Sequence, residues 1–206
     1  MKIAIFGASG KTGHHLVKQS LSAGHNVTAL VRNPVGLGID HADLKCVMGD
    51  LFNPLTVQSV IQDADAVISV IGARKGGVSN MCTQGIKIII EAMNAKGVKR
   101  LIALSAYGAS ETQNASFFIR FVRSAISEKM QDKDSMEELV RTSTTDWTLI
   151  RPPMLTNGNP KEKYQAGLKL KPGITGRIAR ADLAAFILKV LEDKKFIHQA
   201  PVVFNL

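Results

Sequence analysis

Gly7-Ala8-Ser9-Gly10-Lys11-Thr12-Gly13 is the stretch of sequence that decides the fold of this chain. It follows a short apolar run that predicts a strand and precedes an amphipathic stretch that predicts a helix. We expect Gly7 to make a tight turn, Gly10 to let the backbone approach a ligand, and Gly13 to allow close contact between helix and strand. Because the N–H groups and the dipole of a helix N-terminus favour an anion, the turn predicts a phosphate-binding site. The predicted binding residues of the turn are Gly7, Ser9, Gly10, Lys11, Thr12 and Gly13.

A second interpretation of this turn is the phosphate-binding loop of nucleoside triphosphatases, because Gly10-Lys11-Thr12 resembles the end of that loop. The loop needs a further glycine five residues before Gly10, where this chain has Ile5 inside the predicted strand. The turn is therefore too short to enclose a β-phosphate, and a dinucleotide is the favoured ligand. Lys11 is then either a cation beside the dinucleotide or a solvated lysine, and both interpretations stay open.

The rest of the chain alternates short apolar runs with longer amphipathic stretches, which is typical of repeated strand and helix units. The runs are nearly continuous in Ile, Val, Leu and Ala, as in parallel strands that helices cover on both faces. The predicted strands are Lys2 to Phe6, Asn26 to Val31, Leu44 to Met48, Ala66 to Ile71, Lys99 to Ser105, Trp147 to Ile150 and Val202 to Asn205. The predicted helices are about Thr12 to Ala23, one that begins at Asn53 and Pro54, Asn80 to Lys96, Ala115 to Arg141 with a break near Ser124 to Ser127, and Ala181 to Leu191.

This rhythm predicts an α/β protein with a single Rossmann-like domain over residues 1–206. Its sheet is expected to be doubly wound and mostly parallel, with helices on both faces. Residues 151–176 are rich in Pro, Gly and Lys, and we interpret them as a loop excursion on the substrate side rather than a second domain.

Arg32 indicates which dinucleotide the domain prefers. A Rossmann domain for NAD places an acidic residue at the end of the second strand, against the ribose 2′-hydroxyl. This chain places Arg32 there, and a guanidinium can bind a 2′-phosphate with two hydrogen bonds. The sequence therefore favours NADPH over NADH, with an exposed loop arginine as the alternative.

The charge of the chain favours an anionic partner. Its 206 residues contain 26 Lys and Arg against 17 Asp and Glu, a formal net charge of +9. The excess is concentrated in residues 151–206, where 10 basic residues face 4 acidic ones. This excess is compatible with nucleic acid, an acidic membrane surface or a small molecule with phosphate or carboxylate groups, and composition does not choose among them. The partner that we expect is a small anionic aromatic substrate. Nucleic acid is the less favoured partner, because only Tyr164 is interleaved with the basic residues of this region, which include Lys161, Lys163, Lys169 and Lys171.

Composition also excludes several classes of protein. Cys46 and Cys82 are the only cysteines and form no CxxC pair, so a disulfide framework or a zinc cluster is not expected. The five histidines lack metal-ligand spacing, and we predict no metal site. No apolar run approaches the ~20 residues of a membrane span. These features predict a cytoplasmic protein with no membrane partner, either a monomer or a weak homodimer.

Several motifs together resemble the atypical short-chain dehydrogenase/reductases. The likeness is greatest to the NAD(P)H-binding group that includes biliverdin-IXβ reductase/flavin reductase, and regulators of the nitrogen-metabolite-repression type belong to the same branch. The resemblance covers essentially the whole chain. The motifs are GxxGxxG at Gly7 to Gly13, Gly49-Asp50-Leu51, Leu104-Ser105-Ala106-Tyr107-Gly108, Asp146-Trp147-Thr148-Leu149-Ile150-Arg151-Pro152-Pro153 and Ile178-Ala179-Arg180-Ala181-Asp182-Leu183-Ala184.

The resemblance implies further cofactor-binding residues. It places Asp50 and Leu51 against the adenine, Ile71 and Gly72 on the path to the nicotinamide ribose, and Ser105 beside the nicotinamide. Arg74 would reach a cofactor phosphate or an anionic substrate, unless Arg74 and Lys75 are a solvated pair. The remaining implied contacts, behind the carboxamide, are Pro153 and Met154.

The catalytic residues depart from the wider superfamily, whose typical members pair a tyrosine with a lysine four residues later to lower the phenol pKa. Here Tyr107 is followed at that distance by Glu111, which disfavours alcohol oxidation and sugar epimerisation. Hydride delivery to a conjugated acceptor needs only water or a modest proton donor. The candidate catalytic residues are Ser105, Tyr107 and Lys133. Tyr107 either lines the substrate pocket or fills its rim, and the alternative for Lys133 is a surface ion pair with Glu137.

The sequence therefore predicts an NADPH-dependent oxidoreductase that transfers hydride to a flavin, a biliverdin-like tetrapyrrole or a quinone, with FMN or FAD as possible substrates. The competing hypothesis is a non-catalytic dinucleotide sensor, which the missing tyrosine–lysine pair favours.

Overall fold

Six parallel strands form the central sheet in the computed structural model of the protein, which describes residues 1–72 and 80–206. Their order across the sheet is β3-β2-β1-β4-β5-β6, with every neighbouring pair parallel. The order reverses between β1 and β4, and in such sheets ligands bind at the carboxyl ends of the strands beside this point. The strands are β1 (Lys2–Phe6), β2 (Asn26–Val31), β3 (Leu44–Met48), β4 (Ala66–Ser69), β5 (Arg100–Leu104) and β6 (Asp146–Ile150).

Helices pack on both faces of this sheet. The helices are α1 (Lys11–Ser22), α2 (Pro54–Ile61), α3 (Met81–Lys96), α4 (Phe117–Ala125), α5 (Ser127–Arg141) and α6 (Arg180–Glu192). The Asn53 side chain caps α2 by accepting hydrogen bonds from the next backbone N–H groups, and Gly97 ends α3 in the left-handed conformation. The predicted break within Ala115 to Arg141 occurs at Ile126, between α4 and α5. No helix in the described ranges is long and apolar enough to cross a bilayer.

The two faces of β1 show why the sheet is covered on both sides. Ile3 and Ile5 belong to a buried cluster with residues of α1 and α6. Ala4 and Phe6, which point to the other face, belong to a second cluster with residues of α2, α3 and α5. A strand buried on both faces must be apolar at every position, as the sequence pattern indicated. The predicted single Rossmann-like α/β domain is confirmed.

The segment predicted as a loop excursion, residues 151–176, contains two short strands that the sequence did not reveal. They are β7 (Met154–Thr156) and β8 (Tyr164–Gly167). β7 pairs in parallel with β9 (Arg177–Ala179), and β8 pairs antiparallel with β10 (Val202–Asn205). Strands of three and four residues among Pro, Gly and Lys have too little apolar periodicity to be recognised, and they form because distant segments supply their hydrogen-bonding partners.

The turn after β1 leaves no room for side chains. Gly7 adopts a φ of +88°, and a Cβ atom there would lie 2.9 Å from the carbonyl of Val70. A Cβ atom on Gly13 would lie 2.1 Å from the carbonyl oxygen of Gly7. Helix α1 therefore packs directly on the backbone of the turn, as predicted for Gly13.

The contact at Gly13 predicts a large effect of a single methyl group. We expect Gly13→Ala to lower the free energy of unfolding by about 1–3 kcal/mol, because the new Cβ would meet backbone atoms that cannot rotate away. Gly36→Ala is the control, since a Cβ atom there has no neighbour within 4 Å. Urea unfolding of both variants measures the difference, and equal stabilities would contradict the packing described.

Candidate functional site

A cleft of about 320 Å³ opens at the carboxyl ends of β1 to β4, where the strand order reverses. Its walls are the glycine-rich turn, the residues that follow β2, β3 and β4, and the first residue of α3. The predicted cofactor-binding residues found in its lining are Gly7, Ser9, Gly10, Arg32, Asp50, Leu51, Ile71 and Gly72. The lining residues not predicted are Phe6, Leu30, Gly49, Phe52, Val70 and Met81.

The other predicted cofactor residues do not line this cleft. Lys11 is exposed, whereas Thr12 and Gly13 are buried in the first turn of α1. Ser105 is 4% exposed, and its hydroxyl donates to Glu137 on α5. Pro153 is half-buried and Met154 is exposed at the start of β7. Arg74 lies outside the described residues.

The N-terminus of α1 suits an anion. Gly10 occupies the N-cap position in an extended conformation, and its N–H group donates to the Gly7 carbonyl over 3.0 Å. Within the described part of the chain, no side chain caps this helix, and its first turn contains no acidic residue. The first backbone N–H groups of α1 are therefore available to an external acceptor. With the space left by Gly7 and Gly13, the turn fits the pyrophosphate of a dinucleotide.

The charges at the edge of the cleft suit a second phosphate. Arg32 is exposed at the end of β2 and forms no ion pair with any described residue. Asp50 lies after β3, where its carboxylate accepts a hydrogen bond from the N–H group of Phe52 over 3.1 Å. The position after β2 thus offers a free guanidinium rather than a carboxylate.

Ser105 belongs to a buried ionic network that the sequence did not predict. Its hydroxyl donates to Oε1 of Glu137 over 2.5 Å, and Arg151 donates from Nε to the same oxygen over 2.8 Å and from Nη2 to Oε2. Glu137 is 0% and Arg151 1% exposed. A carboxylate paired with an arginine can only accept hydrogen bonds. The single hydroxyl proton of Ser105 is therefore used in its bond to Glu137. Ser105 therefore presents only lone pairs to any further partner.

The network reaches the surface through Glu111, which accepts from Arg151 over 2.7 Å and from Arg141 over 2.9 Å. The hydrogen bond from Arg151 holds the pKa of Glu111 down, at about 2. Burial alone would lower the pKa of Arg151, but its bonds to Glu137 and Glu111 outweigh burial and raise it. Both groups are therefore charged at neutral pH. The only hint in the sequence was Arg151 itself, an arginine directly after an apolar strand.

Lys133 does not form the ion pair with Glu137 that was the alternative to a catalytic role, and Ser105 and Arg151 bind that carboxylate instead. Its ammonium group instead donates to the backbone carbonyls of Leu104, over 2.6 Å, and Ile71, over 3.2 Å. These carbonyls lie at the carboxyl ends of the neighbouring strands β5 and β4. Lys133 thus ties two strand ends together behind the cleft.

Asp132, beside Lys133 on α5, is a second residue that the sequence did not single out. It is 3% exposed, and its carboxylate accepts from the backbone N–H groups of Cys82 and Thr83, each over 2.9 Å. Burial would raise the pKa of Asp132, but these hydrogen bonds and one from the Thr83 hydroxyl lower it overall. A charged carboxylate from α5 therefore caps the N-terminus of α3.

Tyr107 lies after β5 and is 8% exposed. Its N–H group donates to the carbonyl of Pro152 over 2.9 Å, which joins the segments that follow β5 and β6. Burial raises the pKa of its phenol. The phenol makes no hydrogen bond to any residue in ranges 1–72 and 80–206.

Helix α4 presents an apolar face to solvent near the segment that follows β5. Phe117 and Phe121 are 87% and 73% exposed, and Phe118 is 40% exposed. Arg123 anchors the helix by donating to the carbonyl of Gly108 over 2.7 Å and to Asp134 over 2.6 Å. Three exposed phenyl rings on one helix form an apolar patch, and such patches are typical of sites that bind a ligand or a partner.

The fold, the reversal of strand order and the glycine-lined cleft define a Rossmann-type dinucleotide-binding protein. The family described as NAD(P)H-binding matches residues 7–194, and the chain belongs to this family. YwnB of Bacillus subtilis is 28% identical to it over 202 residues, which cover 93% of this chain and 92% of YwnB.

Solved structures of reductases share the fold. ChuY, an anaerobillin reductase from Escherichia coli, superposes with a TM-score of 0.86 over 100% of this chain and 97% of ChuY, at 20% identity. A short-chain dehydrogenase/reductase from Veillonella parvula in complex with NADP superposes with a TM-score of 0.83 over 99% of this chain and 94% of that one, at 19% identity. The predicted membership of an NAD(P)H-binding oxidoreductase-like family is confirmed.

The low pKa of Glu111 predicts a pH-dependent contribution to stability. Its pKa is about 2 in the folded protein and 4.5 in its ordinary state, so the stabilisation is complete above this range and is lost as the pH falls through it. We expect the wild-type protein to be more stable than Glu111→Gln at pH 7, with the difference shrinking between about pH 5 and pH 2. Thermal unfolding across this range measures it, with Glu91→Gln, an exposed position on α3, as the control. A difference that does not vary with pH would contradict the assignment.

Proposed function

We propose that this protein is an NADPH-dependent reductase that transfers hydride to a flavin, a biliverdin-like tetrapyrrole or a quinone. The observation that carries the proposal is the cleft at the reversal point of the sheet, with a helix N-terminus at one wall and Arg32 after β2, neither of which has a side-chain partner among residues 1–72 and 80–206. The first suits the pyrophosphate of a dinucleotide and the second suits a 2′-phosphate.

The residues proposed to hold NADPH follow from this arrangement. The turn from Gly7 to Gly13 would bind the pyrophosphate, Arg32 the 2′-phosphate, and Asp50 with Leu51 the adenine end. Ile71 and Gly72 would line the path toward the nicotinamide, which places the reacting end near the carboxyl ends of β4 and β5. The NADP-bound Veillonella parvula structure, which has the same fold, supports this cofactor class.

Bound NADPH supplies the hydride, so the protein has only to orient the acceptor and provide a proton. Of the three candidate catalytic residues, Ser105 has its proton held by Glu137, and Lys133 directs its ammonium group to two carbonyls. The phenol of Tyr107 is not committed in this way. We therefore assign proton delivery to Tyr107 or to water, and a role as hydrogen-bond acceptor to Ser105.

The apolar face of α4 supports a large aromatic acceptor. Phe117, Phe118 and Phe121 offer flat rings against which a conjugated ring system can stack, and Arg120 beside them can attract an anionic group. The stretch from Gln113 to Ser127 contains no acidic residue. This chemistry suits flavin phosphates and tetrapyrrole propionates. The shared fold of the reductase ChuY is in agreement with a reductase.

A non-catalytic NAD(P) sensor is the second candidate function. The observation that favours it is the residue four positions before Lys133, which is Lys129 and not a tyrosine. The proton of Ser105 is also unavailable. A sensor would bind NADPH in the same cleft and transmit its occupancy to a protein partner.

Turnover separates the two candidates. We expect the protein to oxidise NADPH in the presence of at least one of FMN, biliverdin and a quinone. The loss of NADPH absorbance measures this reaction. Phe121→Ser should raise the acceptor KM about tenfold through lost ring contact, with unchanged NADPH affinity. Leu55→Ser, at a position 75% exposed on α2, is the matched control. Tight NADPH binding without turnover on any acceptor would instead support the sensor.

Arg32 determines the choice of cofactor in this proposal. We expect Arg32→Gln to weaken NADPH binding at least about tenfold, because each charge-assisted hydrogen bond contributes about 1.5–3 kcal/mol. NADH, which has no 2′-phosphate, should bind the variant and the wild type equally. Fluorescence titration with both cofactors tests this, and an equal loss of affinity for both would remove Arg32 from 2′-phosphate recognition.

A further inference from the structure

Two consecutive residues of α5, Asp132 and Lys133, contact the two ends of one connection in the chain. Lys133 donates to the carbonyl of Ile71, just after β4, and Asp132 accepts from the N–H groups of Cys82 and Thr83, at the start of α3. The connection from β4 to α3 is therefore held at both ends by the same turn of a helix about fifty residues later in the sequence.

The start of α3 depends on this contact. Asn80 occupies the N-cap position in a left-handed conformation, with a φ of 58°, and its own side chain makes no capping hydrogen bond. Asp132 supplies the missing acceptor with both carboxylate oxygens. The thiol of Cys82 also donates to the carbonyl of Ile71 over 3.7 Å, so the two anchored ends touch each other.

Both anchored ends belong to the wall of the cleft. Ile71 and Gly72 line it from the end of β4, and Met81 lines it from the first position of α3. Lys133 also binds the carbonyl of Leu104, which fixes the end of β4 relative to β5. Asp132 and Lys133, which do not line the cleft, thus fix the positions of the residues that form this wall.

We propose that Asp132 and Lys133 are positioning residues for the dinucleotide, which together hold Ile71, Gly72 and Met81 at the spacing that the cofactor requires. This inference rests on the proposed cofactor binding. It gives Lys133 a role that differs from proton donation, because the two carbonyls use its strongest hydrogen bonds. It also makes the two residues interdependent, since both restrain the same connection.

NADPH affinity tests the proposal. Lys133→Met and Asp132→Asn should each raise the NADPH Kd about tenfold, because a displaced wall costs binding energy throughout the site. The double variant should lose less than the product of the two effects, because either change alone lets Ile71 shift relative to the start of α3. Saturating NADPH should restore most of kcat in Lys133→Met, whereas loss of a proton donor would lower kcat at saturation.

Arg100→Met is the matched control for general destabilisation. Like the half-buried Lys133, Arg100 is a cation that donates to backbone carbonyls, those of Asp146, Val190 and Lys195. It lies at the start of β5, at the amino ends of the strands and away from the cleft. Its substitution should lower the melting temperature and leave the NADPH Kd unchanged. Equal Kd effects in all variants, or strictly multiplicative effects in the double variant, would overturn the proposal.

Hydrogen exchange tests the same anchors without any cofactor. The amides of Cys82 and Thr83 should exchange faster in Lys133→Met as well as in Asp132→Asn, although Lys133 does not touch them, and they should remain protected in Arg100→Met. If Lys133→Met leaves them protected, the two anchors are independent and the proposal is wrong. If the variants show this exchange pattern but the wild type does not bind NADPH, the proposed function fails and the coupling of the two anchors stands.

Discussion

The carboxyl ends of β5 and β6 depend on the hydrogen bonds that the buried carboxylate of Glu137 accepts. It accepts hydrogen bonds from Ser105 at the end of β5 and from Arg151 at the end of β6, and all three side chains are almost fully buried. An unpaired charge in such a place costs about 3–5 kcal/mol, so neither partner can leave without the other. Helix α5, which carries Glu137, is thereby held against two strands at the edge where ligands bind.

The same helix presents Asp132 and Lys133 one turn earlier, and through them it reaches α3 and the ends of β4 and β5. The two halves of the cleft are consequently built in different ways. The half at the glycine-rich turn is formed locally, by a turn at the N-terminus of α1, where no side chain in the described part of the chain caps the helix. The half at Ile71 and Met81 is held by hydrogen bonds from Asp132 and Lys133 that join separate elements, so its shape depends on the packing of α5.

This difference explains which predictions succeeded. The bounds of β1, β2, β3 and β10 match the apolar runs, because periodicity and burial are properties of neighbouring residues. The sequence also predicted the close packing at Gly13, because any other residue would place a Cβ atom against the backbone of the turn. The contacts of Lys133 were not predicted, because its partner Ile71 lies 62 positions away, while the acid one helical turn later, Glu137, is bound by Arg151. Strands β7 and β8 were missed because their pairing partners are remote in sequence.

By itself, the sequence determined the Rossmann-like sheet and the glycine-rich turn, because these follow from local apolar patterning and from backbone space that only glycine leaves. It also showed that the position after β2 holds Arg32 and not an acid. Only the tertiary structure decided what Ser105, Asp132 and Lys133 do. A polar side chain bonds to whichever carbonyl or carboxylate folding brings within about 3 Å, and that partner is a property of the packed protein.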